Sequence, residues 1–265
     1  MSETPVEPQL SGNMFLFERP ELLTKEQHGG LGVSRLDRPF EFCAKVRAIP
    51  LTVSEIPMAM KNYPVVFVSE QDPLPIAIVG LVDDVNLFVD EKGMWEPTTY
   101  IPGYIRRYPF AVASETDGDR LAIVIDGAHP GIKEGGDITF FDSNGESSDA
   151  TKQAIELCKQ YEQDRLLTVE LMKKLTPLGL IKGQSAQYTP QGSTEQKVFA
   201  QYFGVDENAL KELSDADFLE LRKTGLLPLI YSQLMSLGNW RALMQRRLTR
   251  YNLTEAQLLE PVKLS

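Results

Sequence analysis

Apolar and polar residues alternate along residues 40–46, with Phe40, Phe42, Ala44 and Val46 on one side and Glu41, Cys43 and Lys45 on the other. That period of two predicts a half-buried strand. Thr52-Val53-Ser54-Glu55 follows with the S/T-x-x-E spacing, in which hydroxyl and carboxylate satisfy free backbone amides reciprocally. A short helix is therefore expected to open at Thr52 and to stop at Tyr63-Pro64. Further strands are predicted over residues 65–68, 76–82 and 87–90, separated by the turn formers Glu70-Gln71-Asp72-Pro73 and Asp83-Asp84, as neighbours in an antiparallel meander. Residues 121–125 and 138–141 are β-branched or aromatic and add strands between Asp117-Gly118-Asp119, Asp126-Gly127 and Asn144-Gly145.

At Ser147-Ser148-Asp149 the period changes. Ser148 suits an N-cap, and Ala154, Ile155, Cys158, Tyr161, Arg165, Val169 and Met172 fall on one stripe of a helix running to about Leu175, where Thr176-Pro177 and Gly179 stop it. One more strand is read over residues 198–203. Ser214-Asp215-Ala216-Asp217 opens another helix that ends at Thr224-Gly225, and residues 226–237 and 239–248 form two more helical segments. The pattern predicts an α+β protein: a mostly antiparallel β N-terminal half with short helices (36–146), packed against a mainly helical C-terminal half (147–260). Residues 1–12 are polar and proline-containing and read as a disordered tail, leaving 13–265 as a single composite domain.

Composition narrows the function classes. The chain has 265 residues, of which 42% are hydrophobic, enough to bury a core, yet its longest apolar runs stop well short of the roughly 20 residues needed to cross a bilayer. Its first residues lack a basic n-region and a continuous apolar stretch, so a cytoplasmic location is expected. A formal charge of −10 argues against a sequence-independent grip on nucleic acid, which relies on Lys and Arg displacing counterions from phosphates. Arg246, Arg247 and Arg250 form the basic cluster and read as a solvated helix face complementing the helix dipole. Cys43 and Cys158 read as buried free thiols.

No motif carries recognisable chemistry. The two histidines, His28 and His129, lie far apart, and no CxxC, HxH or HExxH spacing gathers them into a metal site, so no metal and no cofactor is expected. Asp142-Ser143-Asn144-Gly145-Glu146 has its glycine too early for a calcium loop and reads as a turn. The glycine-rich stretch from Asp126 to Gly136 lacks the phosphate-binding patterns and leads into a strand. No GxSxG elbow is present, and a spatial pair of acid and base carboxylates leaves no local signature. Residues 95–110 stand out instead, because aromatic rings with polar tips, guanidinium forks and stiffening prolines are the materials of a recognition surface. His28, Trp95, Tyr100, Tyr104, Arg106, Arg107 and Tyr108 are the candidate binding residues. The structural alternative is that the aromatics cover the sheet and the arginines tie down carbonyls or carboxylates.

These residues also carry a resemblance. His28, Ile49-Pro50-Leu51 with Glu55, Tyr63-Pro64-Val65-Val66-Phe67, Asn86-Leu87-Phe88-Val89 with Gly93-Met94-Trp95, and above all Tyr100-Ile101-Pro102-Gly103-Tyr104-Ile105-Arg106-Arg107-Tyr108-Pro109-Phe110 resemble the SapC family of bacterial proteins. Val205-Asp206-Glu207, Leu213-Ser214-Asp215 and the run from Leu226 to Tyr231, ending in Ser236-Leu237, extend the likeness over roughly residues 28 to 245. The resemblance implies a link to surface-layer export or assembly and to loci that hold oxygenase-like proteins and outer-membrane receptors; it brings no catalytic residues. The leading expectation is an accessory protein that binds a protein or peptide partner connected with cell-surface or uptake machinery. An enzyme using His28 and unrecognised carboxylates, and a surface-layer structural or export component, are the alternatives.

Overall fold

The computed structural model describes residues 14–82, 85–114 and 121–262. The tail read over 1–12 and the turns read at Asp83-Asp84 and Asp117-Gly118-Asp119 lie outside the described residues. In chain order the strands are β1 Pro20–Leu22, β2 Leu31–Val33, β3 Ala48–Pro50, β4 Val65–Phe67, β5 Pro75–Ile78, β6 Phe110–Ser114, β7 Leu121–Asp126, β8 Ile132–Glu134, β9 Ile138–Thr139, β10 Ile181–Tyr188 and β11 Lys197–Val205. The helices are α1 Lys25–His28, α2 Ile56–Ala59, α3 Gly103–Arg106, α4 Asp149–Lys173, α5 Glu207–Lys211, α6 Asp215–Lys223, α7 Leu226–Ser236 and α8 Asn239–Tyr251. Every strand pair is antiparallel, and the chain has the α+β class expected of it.

The chain clusters into two compact units, each discontinuous in sequence: one drawn from within Met1–Pro39 and Ile105–Glu162, the other from within Phe40–Tyr104 and Gln163–Ser265. These boundaries cut across the division at residue 147 that the periodicity suggested. The first unit holds two three-stranded sheets, ordered β1-β7-β6 and β8-β2-β9. Phe110, Val112, Ile125, Phe140 and Cys158 form its core, with the Phe110 and Phe140 rings edge to face at 5.8 Å. Gly32 sits on the central strand β2, where a Cβ would come within 2.5 Å of the Ile138 carbonyl oxygen, so only glycine fits between the flanking strands.

The second unit is built on a five-stranded sheet ordered β10-β11-β4-β5-β3. Phe67, Met172, Leu175, Leu180, Ile181, Val205, Leu221, Leu226 and Ile230 form its main core. Strand β4 meets β11 at the single register pair Phe203↔Phe67, and α7 completes the join with side chains. Gln233 accepts from the Val205 amide at 3.2 Å and donates to the Val65 carbonyl at 3.0 Å, while Ser236 accepts from the Val65 amide at 2.9 Å; both side chains are fully buried.

Local signals located several elements well. The box at Thr52 is formed and opens a short 3₁₀ turn, Val53–Glu55, that runs into α2. Ser148 accepts from the Thr151 amide at the start of α4, Ser214 accepts from the Asp217 amide before α6, and Gly225 takes the left-handed conformation between α6 and α7. In the predicted turn at Asp142, the carboxylate accepts from the Asn144 and Glu146 amides and Gly145 has a positive φ.

Other elements differ. Residues 40–46 are not a strand: they form a 3₁₀ turn over Glu41–Cys43, in which the deepest residue is Cys43, outside the alternating set. The strand comes later, at β3. Residues 87–90 form a turn, because the buried Asn86 accepts from the Phe88 amide at 2.9 Å and donates to the Cys43 carbonyl at 3.2 Å, and residues 85–89 are all buried, which leaves no face to alternate. The strand read over 76–82 ends at Ile78, and that over 138–141 at Thr139. The helix-rich half contains the two longest strands, β10 and β11, of 8 and 9 residues. Both thiols are free and buried, and burial pushes Cys43 up to about 12 and Cys158 up to about 11, so both stay protonated at neutral pH.

Candidate functional site

The candidate segment at residues 95–110 is for the most part packed inward. In the second unit, Glu55 is buried and four donors converge on its carboxylate: the Thr52 amide at 2.8 Å, the Thr52 hydroxyl at 3.0 Å, the Tyr100 hydroxyl at 2.9 Å and the Gly103 amide at 2.5 Å. The capping residue thus also anchors the start of the Tyr100-Ile101-Pro102-Gly103 stretch. Tyr100 is fixed further by the Asn62 side chain, which accepts from its amide at 3.0 Å, and by the Tyr63 hydroxyl, which donates to its carbonyl. Trp95 is buried; its indole N–H donates to Thr99 at 3.0 Å, and its ring stacks on Phe88 at 6.4 Å. Tyr104 is half-buried.

His28, Arg106, Arg107 and Tyr108 belong to the first unit. Arg107 is buried with its guanidinium 4.9 Å from the Tyr161 ring and 5.8 Å from Phe17. Tyr108 donates to Asp126 at 2.9 Å, and its ring lies 5.4 Å from that of His129. Asp126 also accepts from the Glu18, Arg19 and Ala128 amides at 2.9 to 3.1 Å, which ties β7 to the strand entering from Phe17. His28 is only 2% exposed; its Nε2 meets Glu21 at 3.3 Å while Nδ1 faces Thr24. A histidine and a carboxylate are thus within hydrogen-bond reach, but the ring is sealed and spends both nitrogens on its own segment. Of the seven candidates only Arg106 is exposed.

Asp126 and His129 give the first unit a directional response to acid. Burial raises the Asp126 carboxyl, but its hydrogen bonds from the Arg19 and Glu18 amides, Tyr108 and the Ala128 amide outweigh that and hold it below its usual 3.8. Burial lowers His129 below its usual 6.5 against the opposing pull of Asp126, and its Nδ1 accepts from the Gly131 amide at 3.1 Å, which requires that nitrogen unprotonated. For both groups the unfolded chain binds the proton more readily, so the stabilisation is present above the unfolded value and is lost as pH falls through the folded one. Stability should decline first below about pH 6.5 through His129, then again below about pH 4 through Asp126. Urea titrations at pH 7 and pH 5 should show the first loss in the wild type and a flatter response in His129→Asn; equal slopes would exclude His129 as its source.

The open feature lies in the second unit, where residues 87–97 face α8 across a groove of about 710 Å³. Its floor is apolar, made by Leu87, Phe88, Met94 and Pro97, and α8 supplies Ala242, Gln245, Arg246, Thr249 and Arg250. The Arg246 guanidinium carbon lies over the Phe88 ring, 4.3 Å from its centroid, and the side chain pairs with Glu96 at 2.9 Å. Arg250 donates to the Asn86 and Val89 carbonyls at 3.1 and 2.8 Å, and Arg247 is fully buried, donating to the Leu258 and Glu260 carbonyls. The basic cluster is therefore not a solvated face: two of its members line the groove and the third is a buried clamp. Their acceptors lie 11 to 164 positions away, beyond any spacing that sequence reading can use. Trp95 and Tyr100 contribute beneath the groove, since Trp95 and Tyr63 both pack on Phe88.

Among the described residues no group of three or more His, Cys, Asp or Glu side chains is placed to hold a metal ion, and no helix is long and apolar enough to cross a membrane. No curated protein and no solved structure matches the chain. The family model for SapC matches residues 23–243, which takes in the Glu55 anchor, the floor of the groove and residues 95–110, while Arg246 and Arg250 lie just beyond it. With the match spanning most of its length, the chain belongs to the SapC family.

Proposed function

We propose that this SapC-family chain is a cytoplasmic accessory protein that binds a protein or peptide partner connected with cell-surface or uptake machinery, and that the groove between residues 87–97 and α8 is where the partner docks. The observation that carries the reading is the groove itself: an apolar floor with a few directional donors held in place from below is how binding sites are commonly built. In this reading Trp95 and Tyr100 act as supports of the floor. Arg106 is the remaining candidate with an exposed side chain, and His28, Tyr104, Arg107 and Tyr108 serve the fold around the segment.

The test uses Ala242, an exposed position on the α8 wall where a long side chain fills the groove without disturbing the core. Ala242→Arg is expected to lose at least nine-tenths of a partner captured by the wild type from its native lysate, at unchanged melting temperature, whereas Arg106→Ala measures any contribution from that side chain. Full capture by a folded Ala242→Arg protein would remove the groove from the function.

A further inference from the structure

We infer that the groove recognises the C-terminal end of its partner, holding a single α-carboxylate at Arg246 and Arg250 with the adjoining apolar side chain on the floor made by Phe88 and Met94. The inference rests on the partner-binding reading and specifies the chemistry of what is bound.

Arg246 and Arg250 are four positions apart on α8, a spacing that stacks them on one face of a helix, and both line the groove. Each is oriented by part of its guanidinium and leaves the rest uncommitted. Arg246 commits Nη1 to Glu96 and lies over the Phe88 ring; Arg250 commits Nη1 to the Asn86 and Val89 carbonyls. Among the described residues no other acceptor engages the remaining N–H groups of either side chain. A guanidinium fixed in this way presents its free edge to a planar acceptor, and a carboxylate matches that fork in two parallel hydrogen bonds.

The charge balance disfavours a highly charged ligand. Lys92, Arg246 and Arg250 stand against Asp90, Glu91 and Glu96, three cations against three carboxylates. Asp90 is turned into its own loop, accepting from the Lys92 and Met94 amides at 2.9 and 2.8 Å. With no surplus of positive charge the lining opposes a phosphate dianion more strongly than a monoanion, and what holds the monoanion is the directional N–H donors that Arg246 and Arg250 still have. The floor then selects the source of the carboxylate. An Asp or Glu side chain inside a peptide would press peptide groups on both flanks onto apolar surface, where their N–H and C=O would lose water without finding partners. A chain terminus brings one flank only, and its last side chain stands next to the carboxylate, as the floor stands next to the guanidinium groups. A volume of about 710 Å³ is ample for the last few residues of such a terminus.

The experiment compares two pools of N-acetylated hexapeptides with the last three positions randomised, one ending in free carboxylate and one amidated, added to the full chain. Shifts of the Arg246 and Arg250 Nε–H resonances report on binding. The free-acid pool is expected to move both signals and to enrich for apolar last residues, with the amidated pool at least tenfold weaker. Gln245→Glu, which places a carboxylate on the same exposed wall, is expected to weaken the free-acid pool at least tenfold without changing the melting temperature. Equal binding of the amidated pool would overturn the inference while leaving the groove as a peptide site. So would silence from both pools when Ala242→Arg still abolishes partner capture, or equal displacement of the peptides by inorganic phosphate.

Discussion

Replacing Glu55 with alanine should cost on the order of 4 kcal/mol of folding stability, among the largest losses a single substitution produces. The truncation leaves the buried Thr52 and Gly103 amides and the part-buried Tyr100 hydroxyl without their acceptor, Glu55 itself being only 5% exposed. Each stranded donor costs about 1 to 3 kcal/mol, far more than the net worth of a hydrogen bond exchanged with water. The measurement is a urea titration, with the loss appearing as a lower midpoint at unchanged slope. Glu55→Gln keeps one carbonyl oxygen and should fall between the two. A Glu55→Ala protein within 1 kcal/mol of the wild type would mean that the segment from Tyr100 to Gly103 is held by other contacts.

Gln233→Leu should cost about 3 kcal/mol. Leucine fills most of the volume but offers nothing to the Val205 amide or the Val65 carbonyl, which the glutamine joins across the gap where β4 and β11 share one register pair. The signature that separates this from simple core disruption is residue-specific: the Val205 amide should lose its hydrogen-exchange protection well before its neighbours on β10 or α7. Ser236→Ala removes the acceptor of the Val65 amide, and because both side chains bind Val65 the double variant should lose less than the sum of the two single ones. Additive losses would argue that the two contacts are independent.

What could be read from the chain was what depends on near neighbours. The box at Thr52, the caps at Ser148 and Ser214 and the left-handed Gly225 are each set by residues within four positions, and each is in place. The strand read over residues 40–46 failed because a short alternation is as compatible with a 3₁₀ turn as with a ladder, and the choice was made by Asn86 reaching back to the Cys43 carbonyl. Strand β10 went unread because only Ile181 and Ala186 of its 8 residues are buried, so its polar surface hides the period. The side-chain chemistry of residues 95–110 suits recognition, yet composition alone does not say which way a ring or a guanidinium points: Trp95 and Arg107 turn inward, while the groove draws both its arginines from α8. That wall was legible only as a cluster of arginines, since its acceptors on residues 86–96 lie about 150 positions away along the chain.

The order of strands in the five-stranded sheet sets a constraint on biosynthesis. Strands β3, β4 and β5 are complete by Ile78, whereas β11, which covers the other edge of β4, starts at Lys197. While the intervening chain is being made, the apolar Val65-Val66-Phe67 edge has no strand beside it and can template pairing with another nascent chain. Early termination anywhere before β11 should therefore yield aggregated rather than merely unfolded fragments, and the short length of β4, three residues, is itself a means of keeping that exposure small.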